Sequence, residues 1–578
     1  MNTKRKKSSG KIAMKDIGSL LASFFKGKNR PHYSLRLQII AVSVMLLVGA
    51  VSYYLTLIPL NLRSTSFWWF IFWLALVYTV TLYVARVFSR MLSGYAIFPA
   101  ENFKAGFLRV VGRSSRIGLA LIVIPVLVVI FGSIISSTFF NARAYAGIID
   151  VKEAVFKDDM PESDSVTNIA LMDSSSAIII GNKKLGELSH VVSQYEVSVN
   201  YTQINYHGVP RKVSNLEHAD FFKWLNNREK GIPGYVMVDP VNATADYVEF
   251  DEPIRYVESA YFGDDLHRKL RFSYPTKIFG STRFEVDESG NPRYVVACLS
   301  PKVGLFGALD VSEVIIFNPI DGTSEIYDVE DTPSWVDAVY DGDLATKKYD
   351  WFGKLSGGFW NSIIGNVDCK RTTEDYGYIA IGDDIWYYTG VTSLTSDESN
   401  IGFMLCNART GEYKYYQVAG ADEAAAMGSA EGKLQHMGYR ASFPALINVG
   451  GSATYVMVLK DNSGLVKSYA LVNVEHYEIV ATGDTQTAAF AEYRKLLSAS
   501  GAIENVGAEY SVTVTRIADY VRDGETVFYF YASDGVVYSA TLSDDESLVL
   551  ISEGDSVTFR AEETATAGIR RVISYTKN

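Results

Sequence analysis

Residues 37–58 read LQIIAVSVMLLVGAVSYYLTLI, and two more stretches repeat the pattern: FWWFIFWLALVYTVTLYVA at 67–85 and IGLALIVIPVLVVIFGSIISSTF at 117–139. None carries an Asp, Glu, Lys, Arg or His near its centre. A helix needs roughly 20 apolar residues to cross the hydrocarbon core of a bilayer, and a buried helix of a soluble domain seldom stays uncharged that long. The three runs predict a three-helix transmembrane anchor over residues 37–140, with the lipid bilayer as its first partner.

Charge sets the expected orientation. Residues 1–140 hold 17 Lys and Arg against two acids, while residues 141–578 hold 37 Lys and Arg against 63 acids. The leader 1–36 is basic from Lys4 to Arg36, the loop between the second and third runs carries Arg90, Lys104, Arg109, Arg113 and Arg116, and the short loop between the first two has only Arg63. The positive-inside rule then places the N-terminus and the second loop in the cytoplasm of a plasma (inner) membrane, and three crossings deliver the rest of the chain outside it. Tyr53, Tyr54, Trp68, Trp69 and Trp73 cluster at the predicted outer ends of the first hairpin, as an interfacial aromatic belt does. Within the leader, Ala13, Met14, Ile17, Leu20, Leu21, Phe24 and Phe25 recur at helical spacing among lysines, which predicts an amphipathic helix on the inner membrane face. The basic segment before the first run is too long, and lacks a small-residue cleavage site, for a removable signal peptide. The acidic remainder disfavours nucleic acid, since little outside the leader would neutralise phosphates.

Beyond the anchor, residues 141–165 read as a polar connector. Short apolar runs then alternate with turns: Ala177–Ile180, Tyr235–Val238, Arg293–Ala297, Val314–Phe317, Tyr455–Leu459 and Tyr469–Val472 are expected strands. Expected helices are Glu217–Lys230, Asp264–Arg271, Ala421–Met437 and Thr487–Ala499. The predicted fold class is therefore a three-helix membrane anchor followed by an α+β, mostly antiparallel β, extracytoplasmic domain. An offset of about 168 residues aligns Gly234–Asp239 with Gly402–Asn407, Tyr247 with Tyr415 and Leu266 with Leu434, and in each copy a proline, Pro275 or Pro444, precedes hairpins. That order predicts an internal duplication with units at 166–345 and 346–504.

The hairpins Val286-Asp287-Glu288-Ser289-Gly290, Phe317-Asn318-Pro319-Ile320-Asp321-Gly322 and Leu459-Lys460-Asp461-Asn462-Ser463-Gly464, set behind a helix, resemble the PepSY-type modules of bacterial secreted and membrane proteins over about a third of the chain. The resemblance implies non-catalytic binding or inhibition at the cell surface and, with only two glycosylation sequons at Asn200 and Asn242, a bacterial source. Residues 505–578 offer five strands, Tyr510–Tyr520, Thr526–Ala532, Val536–Leu542, Ser556–Ala561 and Ile569–Tyr575, with a short helix Asp544–Leu550 before the fourth. That arrangement looks like an OB-fold. Acids fill its loops, so a protein-binding or structural barrel is expected and Tyr529, Phe530 and Tyr531 are read as core and strand-face residues.

No catalytic, cofactor or metal constellation emerges. His190, His207, His218, His267, His436 and His476 include no HxxxH or HxH pair, and there is no GxSxG, Walker A or GxGxxG motif. Asp341-Gly342-Asp343 lacks the downstream glutamate of a calcium loop and reads as a polar turn. Cys298, Cys369 and Cys406 allow at most one bridge, and buried thiols fit them better. Trp335, Trp351, Phe352, Phe359 and Trp360 cluster among glycines between the two units, either as an interaction surface or as packing between them. The functional expectation is an extracytoplasmic binding or scaffolding protein that organises other cell-envelope proteins, singly or as an oligomer. The alternatives are a cell-envelope hydrolase or a membrane-bound ligand sensor.

Overall fold

The computed structural model describes residues 35–92, 113–163, 169–373, 375–500, 508–522, 525–542, 546–563 and 568–577. The expected amphipathic helix over Ala13–Phe25 lies outside them. The chain divides into two compact units, one made of residues up to Phe140 with His267–Ile278 and Pro301–Leu309, the other of the remainder.

In the first unit, α1 (Leu35–Thr56) and α2 (Thr65–Leu92) contain stretches of 20 and 21 residues long and apolar enough to span a membrane. The helix α3 (Arg113–Ile135) bends by 53° into α4 (Thr138–Ala146), and this bent pair counts as a third span only when its two parts are taken together. The membrane region therefore has two to three long apolar helices. The expected run Ile117–Phe139 is not one continuous helix: it turns at Ser136–Ser137, where the apolar stretch gives way to hydroxyls. The Ser136 hydroxyl oxygen accepts the N–H groups of Leu305 and Phe306 at 2.9 Å each. Pro125 sits inside α3 without ending it. At the α1–α2 turn, Leu60 donates its N–H to the Pro275 carbonyl at 2.7 Å, Asn61 donates to Thr276 at 2.9 Å and Arg271 donates to the Leu57 carbonyl at 2.8 Å. Helix ends and turns expose backbone groups, and here the segment 267–278 satisfies some of them, while the Ser136 hydroxyl takes up two N–H groups of 301–309.

The second unit opens with a correction to the connector. Its strand β1 (Val151–Ala154) joins a sheet, and Phe156 and Met160, four residues apart on one helical turn, are buried in a core. The first sheet holds β2 (Tyr195–Val197), β3 (Thr202–Tyr206), β4 (Val209–His218), β5 (Ile232–Asp239) and β6 (Thr244–Ile254), in the order β2-β4-β5-β6 with β3 also on β4. Against it packs α5 (Ser174–Gly186), which overturns the expected strand at Ala177–Ile180. The Asp173 carboxylate accepts the Ser176 N–H at 2.8 Å as an N-cap, and Ala177, Gly181 and Leu185 form a buried stripe at four-residue steps. The helix expected from Glu217 starts later: β4 runs to His218, and Asp220 caps α6 (Phe221–Asn227).

A second sheet holds β7 (Ile278–Val286), β8 (Pro292–Val303), β9 (Gly307–Phe317) and β10 (Ser324–Asp328), ordered β10-β9-β8-β7. After α7 (Gly342–Leu355) come β11 (Lys370–Thr372), β12 (Gly377–Ile381), β13 (Asp384–Ser393), β14 (Ser396–Asn407) and β15 (Tyr413–Tyr416), ordered β1-β15-β14-β13-β11 with β12 also on β13. Phe403 and Leu405 of β14 face one core while Met404 and Cys406 face another, one containing α8 (Glu423–Lys433) and the other α7. A strand covered on both faces reads as a continuous apolar run, which is why Gly402–Cys406 shows no alternation. The fourth sheet, β16 (Arg440–Ala441), β17 (Ala445–Val449), β18 (Ser452–Lys460), β19 (Val466–Asn473) and β20 (Val480–Gly483), shares the α8 core on one face and packs α9 (Gln486–Ser500) on the other.

Two pairs of hairpins coincide in detail. In β5–β6, Tyr235 faces Val248 and Met237 faces Asp246; 168 residues later in β14–β15, Phe403 faces Tyr416 and Leu405 faces Lys414. A Cβ on Gly234 would lie 2.3 Å from the Val248 carbonyl oxygen, and one on Gly402 would lie 2.4 Å from that of Tyr416. Both positions need glycine for the same close approach. The turns at Asp287–Asn291 and Asp461–Leu465 also match, each aspartate accepting N–H bonds from residues two and four ahead.

The chain ends in a closed, OB-like five-stranded barrel: β21 (Ala508–Arg522), β22 (Glu525–Ala532), β23 (Val537–Thr541), β24 (Ser556–Glu563) and β25 (Ile569–Lys577), ordered β21-β22-β23-β25-β24. Phe530, Tyr538 and Phe559 fill its core, beside Leu548 from the short helical turn Glu546–Leu550. Closure removes the free edges that would otherwise invite strand pairing.

Candidate functional site

The five aromatics between Trp335 and Trp360 do not form one surface. Trp335 is half-buried against the β8–β9 core, Trp351 meets Tyr145 edge-on at 5.0 Å, and Phe352 packs on Tyr349 at 5.8 Å. Phe359 is half-buried and touches Trp360 at 5.6 Å. Only Trp360 is open, 63 % exposed, and the structure adds Ile363, Ile364 and Val367 at 55, 75 and 65 %. This loop is built to hold its shape. Asn361 donates its amide to the Val367 carbonyl at 2.8 Å and accepts the Val367 N–H at 3.1 Å, closing the turn Asn361–Gly365. Sequence reasoning stopped at Trp360; the aliphatic residues that follow it, without an intervening charge, were the available signal.

A second surface lies on the barrel. Antiparallel pairing places Arg516 opposite Tyr531, Ala518 opposite Tyr529 and Tyr520 opposite Val527, and the alternate residues Phe530 and Ala532 point inward. Outside, Tyr520 stacks on Tyr529 at 5.8 Å, and the Arg516 guanidinium lies 5.0 Å from the Tyr531 ring centre. Tyr520 and Tyr531 are 45 and 37 % exposed. The β22 aromatics thus divide, Phe530 into the core and its two tyrosine neighbours onto the strand face.

The interior holds displaced acids. Glu285, at the end of β7, accepts the backbone N–H groups of Asp337 and Ala338 at 3.0 Å each, and Asp337 accepts that of Asn205 at 2.6 Å. Burial raises both carboxyls, and for Asp337 the Glu285 charge adds to it. Glu423, at the start of α8, is pushed up to about 7 by burial, against hydrogen bonds from the Gly390 N–H at 2.6 Å and the Thr373 hydroxyl at 2.9 Å that favour its charged form. These carboxyls cap backbone groups and are walled in; none lines the apolar cavity bounded by Met160, Gln203, Tyr378, Ile381 and Ile447. A catalytic acid must reach a substrate, and this geometry gives them a structural role. Among the described residues no three His, Cys, Asp or Glu side chains converge as metal ligands. Asp341 caps α7 through the Asp343 N–H, Asp264 is buried in ion pairs with Arg228 and Arg255, and the three cysteines are buried and in no disulfide.

Of the aromatics placed at the membrane interface, Tyr53 meets Phe272 at 5.8 Å and Tyr54 lies under the Arg268 guanidinium at 4.3 Å. Trp68 donates to the Leu62 carbonyl at 2.9 Å, Trp73 donates to the Ser52 hydroxyl at 3.2 Å, and Trp69 is half exposed. All five gather at or near the α1–α2 turn.

No protein-family model matches the chain, and no curated protein matches it. Among solved structures, the crystal structure of an ACO/RPE65 chimera aligns at a TM-score of 0.12 and 8 % identity over 66 % of this chain. The chain spans 62 % of that protein's length, less than two thirds. A similarity of that size establishes no common fold.

Proposed function

We propose that this is a multi-pass plasma-membrane protein that holds its α+β and barrel domains outside the cell, where it binds and organises other cell-envelope proteins. The observation that carries the reading is the outer strip of the barrel, Arg516, Tyr520, Tyr529 and Tyr531. Tyrosine and arginine are the residues most enriched at protein-binding hot spots, because they offer large rigid area and directed polar contacts. A closed barrel supports such a strip on strands that cannot pair with a neighbour by their edges. The acids of the barrel loops favour a protein partner with a basic rim over a nucleic acid.

The matching registers of β5–β6 and β14–β15 favour reading residues 166–504 as an ancient duplication, while PepSY-like modules and a bacterial envelope rest on the hairpin resemblance alone. The orientation rests on the basic leader and the bent third span. Crosslinking in intact cells, followed by purification of the full-length protein in mild detergent and mass spectrometry, tests the function. One or a few envelope proteins, or a homo-oligomer, are expected at fixed ratio, and loss of that species in a Tyr520→Ala/Tyr531→Ala variant of unchanged melting temperature would assign it to the strip. Recovery of a lone monomer would overturn the scaffold.

A further inference from the structure

The loop Trp360–Val367 presents four large apolar side chains to solvent, and its turn is closed by the paired Asn361–Val367 hydrogen bonds. Between Trp351 and Val367 the only charged residue is Lys354. An ordered apolar projection of this kind marks a contact surface, since soluble surfaces rarely gather such residues together. What it contacts follows from how the chain is tethered. The apolar run of α3 ends at Ile135, and Tyr145 follows ten residues later at the end of α4. Most of that interval is helical, so its rise keeps Tyr145 within about 20 Å of Ile135 along the chain. Tyr145 is buried and meets Trp351 of α7 edge-on at 5.0 Å. Trp360 follows Trp351 by nine residues, which span at most about 30 Å. The loop is thus bound by short chain segments and one buried contact to the end of a candidate span.

We propose that Trp360, Ile363, Ile364 and Val367 insert into the headgroup and upper acyl region of the same membrane leaflet in which α3 ends, as an interfacial anchor independent of the helices. The residue types agree with that occupant. Tryptophan prefers the membrane–water boundary, and three aliphatic side chains gain by leaving water without leaving an unpaired charge behind. Lys347, exposed on α7 beside Trp351, stands at the charged margin such an anchor would present to lipid headgroups, while Lys354 is held in an ion pair with Asp350. The inference does not depend on the scaffold reading and stands whether or not the barrel binds a protein.

The test uses full-length protein in nanodiscs of phosphatidylcholine and phosphatidylglycerol. An Ile364→Cys variant, tolerable at a position 75 % exposed, is labelled with an environment-sensitive fluorophore, and Glu478→Cys serves as the aqueous reference. Wild-type protein, whose three cysteines are buried, sets the labelling background. The label at 364 is expected to emit to the blue of the label at 478, to lose about half its intensity or more to shallow brominated lipids, and to resist aqueous iodide. Emission like the reference, with free iodide quenching, would place the loop in water and overturn the proposal. Shielding from iodide without quenching by brominated lipid would show a protein cover, which overturns it equally. A parallel label at Ile363→Cys guards against a local perturbation at 364: agreement of both with the aqueous reference rejects insertion.

Discussion

Glu423 shows how a single buried carboxyl ties this domain to pH. Its carboxyl is pushed up to about 7 because burial disfavours the charge more than the Gly390 and Thr373 hydrogen bonds favour it. A folded-state value raised above the ordinary glutamate range means that the native state holds this proton more tightly than the unfolded chain. Its stabilisation is fully present below the ordinary glutamate range and is lost as pH rises through about 7. Glu423→Gln keeps an oxygen to accept the Gly390 N–H and offers its amide to the Thr373 hydroxyl. It should abolish this decline, closing a gap on the order of 2 kcal/mol between acid and mildly alkaline pH. Unfolding midpoints of both proteins between pH 5 and 8 check it; parallel curves would show that the carboxyl carries no such linkage. Burial of this kind was invisible in the sequence, where Glu423 reads as an ordinary first-turn acid after the Asp422 cap. Gly181 is a comparable case. Alone it looks like a weak point in a helix, yet a Cβ there would meet the buried Tyr201 hydroxyl at 2.0 Å.

At the scale of elements, the sequence was most legible where one face decides burial. The strands Ser452–Lys460 and Val466–Asn473, the helix at Gln486–Ser500 and the five barrel strands fall close to their expected places, because alternation and turn residues there agree. It was least legible where β-branched residues sit in a helix. Ala177–Ile180 has the composition of a strand, and only the Asp173 cap and the Ala177–Gly181–Leu185 stripe reveal α5. The barrel strip and the aliphatic half of the 360–367 loop were missed because exposure is a property of the fold, not of the composition. The bend after α3 depends on a similar tertiary contact. Ser136→Ala would leave the Leu305 and Phe306 N–H groups without their shared acceptor, a loss of about 1–3 kcal/mol for partly buried donors. Hydrogen exchange at Leu305 and Phe306 should accelerate accordingly in the variant, with exchange in the barrel unchanged as an internal reference. Unaltered protection at both amides would mean that other acceptors hold the segment.

For the whole molecule, the parity of crossings decides everything about where the large domain works. With α1 and α2 alone, leader and domain share a side; with the bent α3–α4 pair as a third span, they are separated. Leader and second-loop charges hold both of those segments on the cytoplasmic side in either arrangement, since 15 of the 17 basic residues among the first 140 lie in the leader or between Arg90 and Arg116, so the bent pair alone decides the parity. Sixty-three acids on the far side would also meet no cost from the basic, potential-dependent bias that retains positive loops inside. A membrane-impermeant thiol reagent applied to intact cells should therefore label Glu478→Cys at once and a leader cysteine at Ser8 only after the membrane is opened. The buried native thiols leave little background. Simultaneous protection of both positions would put the domain in the cytoplasm and reduce the anchor to a hairpin. The envelope partners would fall with it, and so would the leaflet assigned to the apolar loop, because that assignment takes α3 as a span.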